Sequence, residues 1–167
     1  VLPPLPPTLR ELHCIHCQSL ERLPDELPSA LQSLTCDRCT GVRRLPSLPP
    51  TLRHLRCIDM RELEALPALP HSLLTLDCYA NTNNFYLDNV ELRRLPPLPP
   101  SLKRLTCTDF RALRKLPRLP ATLEHLTCAF CPLNRLPRPL PPSLKHLDCS
   151  DLYVEKLPLL PSALQTL

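Results

Sequence analysis

Ten cysteines and six histidines are the side chains of this 167-residue chain best suited to chemistry. The densest cluster is His13-Cys14-Ile15-His16-Cys17, and Cys36 and Cys39 repeat its C-x2-C spacing further on. Two C-x2-C pairs at such a separation can deliver four sulfurs to one tetrahedral zinc ion, so Cys14, Cys17, Cys36 and Cys39 are candidate metal ligands. A single pair could also act as a redox dithiol, provided that its thiols are accessible and readily ionised.

The rest of the chain decides between these readings. The string L-P-x-L-P-x-x-L-x-x-L-x-C returns seven times, from Leu2, Leu23, Leu45, Leu66, Leu95, Leu116 and Leu136, and a partial eighth copy starts at Leu157. The intervals are 21, 22, 21, 29, 21, 20 and 21 residues. The long interval carries an insertion near 82–89. Such a period defines a leucine-rich repeat solenoid, one domain over residues 1–167. The missing initiator methionine suggests a piece of a longer protein.

In register, Cys14, Cys36, Cys57, Cys78, Cys107, Cys128 and Cys149 fill one slot, and Cys17, Cys39 and Cys131 a second slot three residues later. The second slot also takes Met60, Asn81, Phe110 and Leu152, mostly apolar, so both slots read as core, where a thiol packs as a small hydrophobe. His13 and His16 fall on the opposite side of the strand. This register favours core cysteines over the zinc site, and no cofactor is expected. Inward thiols are also poor nucleophiles, and their number implies a reducing, cytosolic setting.

The elements follow from the same string. L-x-x-L-x-C alternates and should form one strand per repeat in a parallel sheet on the concave side. The return segment is dense in proline, which removes donors and forces extended geometry, so the convex side should be polyproline II with little or no helix. The chain has 24 prolines and one glycine, yet 43% of its residues are apolar, which excludes a disordered linker. No apolar stretch is long enough to span a membrane.

Recognition should use the concave positions two, three, five, seven and eight of L-x-x-L-x-C-x-x. They carry seven basic and eight acidic residues, near neutrality, graded from basic at position two to acidic at position eight. That suits a protein partner with complementary charge bands and not a nucleic acid, which needs a sustained basic groove with stacking aromatics. The candidate contacts are His54, Arg56, Ile58, Asp77, Tyr79, Arg104, His125 and Phe130. Ile15, Ile58, Tyr79 and Phe130 are apolar where polar residues would serve. Phe85 and Tyr86 in the insertion either extend this patch or seal the bulge over the core. The residue pairs before the return leucines carry nine positive against three negative charges and should form a basic ridge, read as a solvated edge in preference to an anion site. No Ser–His–Asp or paired-carboxylate set stands out, so no catalytic residue is assigned.

The strings "LPSLPPTLRHLRC" (45–57) and "LPRLPATLEHLTC" (116–128) resemble the repeats of type III secreted effectors of the YopM and IpaH/SspH group. The resemblance implies a solenoid with a parallel concave sheet, delivery from a bacterium into a host cytoplasm, and binding of host proteins. In one branch it implies an alternative role as the substrate-recognition arm of a larger ubiquitin ligase. That group places asparagine in the slot after the strand, where this chain has cysteine or an apolar residue except at Asn81. The two ends fall within repeats, and flanking domains or oligomer contacts are expected to cover them.

Overall fold

The computed structural model describes residues 2–80, 92–154 and 156–167. The insertion, with Asn81, Phe85 and Tyr86, lies outside the described residues. Seven strands form one parallel sheet in chain order: β1 (Glu11–Ile15), β2 (Ser33–Asp37), β3 (His54–Ile58), β4 (Thr75–Tyr79), β5 (Arg104–Thr108), β6 (His125–Thr127) and β7 (His146–Asp148). No helix occurs among the described residues. The chain is a leucine-rich repeat solenoid, one strand per turn, with an extended return on the convex side.

Pairing is in register from turn to turn. Leu12, Leu34, Leu55, Leu76, Leu105, Leu126 and Leu147 are successive partners, as are Cys14, Cys36, Cys57, Cys78 and Cys107. A strand slipped by one residue would turn its leucine and cysteine out to water, so burial enforces this register. A second ladder, Leu31, Leu52, Leu73, Leu102, Leu123 and Leu144, is fully buried opposite the return leucines. Each turn alone exposes its apolar edge, and only its neighbours cover it.

Each P-x-x-L corner closes by a bond from the leucine N–H to the proline carbonyl, as in Leu52 to Pro49 and Leu102 to Pro99. Proline restricts its own backbone to angles that such turns need. The residue before that leucine is often Ser or Thr, and its hydroxyl reaches back one turn. Thr51 Oγ1 donates to the Leu31 carbonyl at 2.8 Å, Ser72 Oγ to Leu52 at 2.6 Å, Ser101 Oγ to Leu73 at 2.7 Å and Ser143 Oγ to Leu123 at 2.7 Å. This hydroxyl ladder satisfies carbonyls that the prolines, lacking N–H groups, leave without donors.

At the other end of each strand the chain bends through the left-handed region. His16, Arg38, Asp59, Asp109, Phe130 and Asp151 all have positive φ, between 49° and 61°. The sheet bonding continues through the bend: the N–H groups of His16, Arg38 and Asp59 donate to the carbonyls of Asp37, Ile58 and Tyr79 on the next turn. Gly41, the one glycine, serves a different need. A Cβ there would stand 3.0 Å from the Leu20 carbonyl oxygen, so the backbones approach closely.

Candidate functional site: the concave sheet and its thiol spine

Strand alternation splits the Cys/His cluster. Cys14 and Cys36 point inward and are buried, Cys39 and Cys131 likewise, whereas His13 and His16 are exposed. Cys17 and Cys149, near the two ends, are only partly buried. All ten cysteines are free thiols. Cys39 Sγ donates to the Cys14 carbonyl at 3.3 Å, and Cys131 Sγ to the Cys107 carbonyl at 3.3 Å. A second-slot thiol thereby ties its turn to the one before.

Most of the spine resists ionisation, but bonds with the Cys36 thiol lower Cys14 and bring Cys39 down to about 6. Bonds with the Cys14 and Cys39 thiols, then burial, push Cys36 far above the ordinary thiol range. Burial does the same for Cys107 and Cys128 and pushes Cys131 up to about 11. A thiol held protonated is a poor metal ligand and a poor nucleophile. Among the described residues, no group of three or more His, Cys, Asp or Glu side chains is arranged to hold a metal ion, and that includes Cys14, Cys17, Cys36 and Cys39.

The outward side chains form rows across the strands. His54 pairs with Thr75, Arg56 with Asp77 and Ile58 with Tyr79 across β3 and β4. Arg104 pairs with His125 across β5 and β6, and Phe130 follows just beyond β6. These eight candidates therefore lie on four adjacent strands or at their ends. Arg56 Nε stands 3.9 Å from Asp77 Oδ2, and His54 Nδ1 is hydrogen-bonded to Thr75 Oγ1 at 3.0 Å.

Ile58 corrects the expectation from slot type alone: it is 7% exposed and is not presented to solvent. Its partners Asp37 and Tyr79 flank it on both sides, whereas Ile15 in the same slot of edge strand β1 has one neighbour and is 52% exposed. Tyr79 is half-buried. Phe130 is 54% exposed.

Three features were missed in the sequence. Asp59 is 7% exposed and lies between Arg61, at 3.3 Å, and Arg38, at 3.8 Å, in a recess at the strand ends floored near Gly41. Arg38 also meets His16 Nε2 at 2.9 Å. Second, part of the basic ridge is paired: Arg43 and Arg44 reach Glu62 and Glu64 on the next turn at 2.8 and 3.0 Å. Third, His125 and His146 stack with ring centroids 4.4 Å apart and planes within 8°. Burial, Arg104 and His146 hold His125 below the ordinary imidazole range. Their common slot in successive repeats was the available signal.

This geometry defines a leucine-rich repeat solenoid with an extended convex side and a parallel concave sheet. The chain is structurally similar to YopM from Yersinia enterocolitica WA-314 along almost its whole length, with TM-score 0.73 and 29% identity over 98% of this chain and 38% of that one. It thus spans well under half of that protein. Weaker similarities are to YopM, a leucine-rich effector protein from Yersinia pestis (TM-score 0.43, 25% identity, 88% of this chain and 56% of that one). A circular leucine-rich repeat protein, CroV588, follows at TM-score 0.34 and 22% identity, over 83% of this chain and 30% of that one. No protein-family model and no curated protein matches the sequence. No helix among the described residues is long and apolar enough to cross a membrane.

Proposed function

We propose that the concave sheet is a docking surface for a partner protein, centred on β3 to β6. Phe130 carries this reading. It holds a left-handed backbone, with φ at 54°, that costs a non-glycine residue about 1–2 kcal/mol, and it leaves over half its surface in water. The equivalent bends use His, Arg or Asp. Neither packing nor local bonding favours an aromatic there, whereas burial against a partner does.

Tyr79, half-buried, and the Arg56–Asp77 pair supply the remaining anchor and charge matching. An effector role, as YopM is described, extends to this chain on the same reading, and a reducing host cytoplasm suits ten unpaired thiols. Quantitative affinity capture tests the surface with Tyr79→Ala/Phe130→Asn and Arg56→Glu beside a control, Arg118→Glu, from a return segment. The concave variants should lose a common set of captured proteins that the control retains. Identical capture by all four proteins would count against the concave face.

A further inference from the structure

The third-position row on β5–β7 says what kind of segment that partner presents. Arg104, His125 and His146 are successive partners across the three strands. Arg104 is exposed, and among the described residues no carboxylate pairs with it, whereas Arg56, the other strand arginine, has Asp77. His146 Nδ1 is hydrogen-bonded to Thr166 Oγ1 at 3.0 Å, which leaves Nε2 as its open nitrogen.

The flanking groups leave this row positive. At position two, Glu124 is held between Lys145, at 2.7 Å, and Lys103, at 3.7 Å. Lys103, Arg104 and Lys145 thus outnumber the two carboxylates, Glu124 and Asp148, before either imidazole takes a proton. At position five, Thr106 and Thr127 are uncharged. Asp148 is turned to its own neighbour, accepting from Ser150 Oγ at 2.6 Å and Ser150 N at 3.1 Å. The groups facing the two rings are therefore Arg104 on β5, Glu124 on β6, Lys145 and Asp148 on β7, and Thr166 beyond.

We propose that this strip docks an acidic segment of the partner protein, whose carboxylates bridge Arg104 and the His125–His146 pair. The inference rests on the concave-docking reading and adds the partner's chemistry to it. Two stacked imidazoles beside an arginine repel a shared positive charge, and a bound carboxylate offsets that repulsion. Docking is therefore coupled to proton uptake and, because burial, Arg104 and His146 hold His125 below the ordinary imidazole range, strengthens chiefly as pH falls below about 6.5.

The probe is a hexaglutamate peptide at low ionic strength, with hexaglutamine as control, followed by imidazole NMR of the 167-residue chain. Hexaglutamate should move the His125 and His146 signals and leave His13 and His16, at the β1 end, in place. Affinity should fall by about threefold in Arg104→Gln and rise by a similar factor from about pH 7.5 to about pH 5.5. His125→Gln/His146→Gln should remove the pH dependence. Unmoved His125 and His146 signals, equal binding by Arg104→Gln, or binding independent of pH would overturn the proposal. Arg118→Glu should bind the peptide normally, and because the peptide reads the strip while capture reads the whole face, the two readings fail separately. Loss of peptide binding with capture still sensitive to Phe130 sinks the acidic segment alone. Peptide binding with capture insensitive to every concave variant sinks the docking role.

Discussion

Removing the Cys39 thiol tests whether second-slot sulfurs tie the turns together. Cys39 is wholly buried, and its Sγ donates to the Cys14 carbonyl one turn back at 3.3 Å. In Cys39→Ala the inter-turn bond is lost, at about 0.5–1 kcal/mol for a weak donor. The space left by one sulfur adds about 1 kcal/mol, since the backbones on either side are fixed by the sheet. The sum, about 1.5–2 kcal/mol, corresponds to a drop of about 3–8 °C in melting temperature for a chain of this size. Cys17→Ala is the control: Cys17 is partly exposed, and its Sγ donates to a carbonyl of its own turn, Ile15, at 3.6 Å. It should cost less than about 0.5 kcal/mol. Cys39→Ser keeps a donor in place and should fall between wild type and Cys39→Ala. Thermal melts followed by circular dichroism under reducing conditions read all four proteins. The reasoning fails if Cys39→Ala and Cys17→Ala melt within a degree of one another.

Thr51→Val and Ser101→Ala should each lower stability by about 1–2 kcal/mol in urea denaturation, because each removes the hydroxyl donor to a neighbouring turn's carbonyl. Phe130→Asn should raise the melting temperature slightly while weakening partner capture, since asparagine tolerates the left-handed bend better; a stability loss would refute the strain argument. His125 should titrate below its ordinary value by imidazole NMR, and Arg104→Gln should move it upward. The sign follows from linkage. A depressed folded pKa means that the unfolded chain binds more protons between that value and about 6.5, so stability rises with pH across this window.

The leucine and cysteine rows were legible because two periods coincide. Alternation within a strand sends Leu34 and Cys36 to one side, and the repeat brings the same types back on every turn. Both rules act on residue type alone. Ile58 was not legible, because its exposure depends on what stands on the adjacent strands. Ile15, in the same slot, has the opposite exposure. The hydroxyl ladder left a visible trace in the Ser or Thr before the corner leucine at Thr51, Ser72, Ser101, Thr122 and Ser143. Its meaning required knowing that those corners stack closely enough for a short side chain to reach across. The His125–His146 stack likewise follows from register, once the strands are known to pair without a slip.

The left-handed bends explain why fold and recognition can be separated in this chain. A non-glycine residue there is strained, and this chain places its one glycine elsewhere. The strain persists because the bends at His16, Arg38, Asp59, Asp109 and Phe130 aim the N–H at the next turn, so the cost at one residue is offset by a bond that the repeat supplies again and again. The backbone does this work whatever side chain sits above it. Asp59 uses its carboxylate to hold Arg38 and Arg61, and Arg38 reaches His16, so those bends are consumed locally. Phe130 has no polar group with which to do the same. Its side chain is therefore not required by the solenoid's own bonding, which makes it the first residue to test in partner capture.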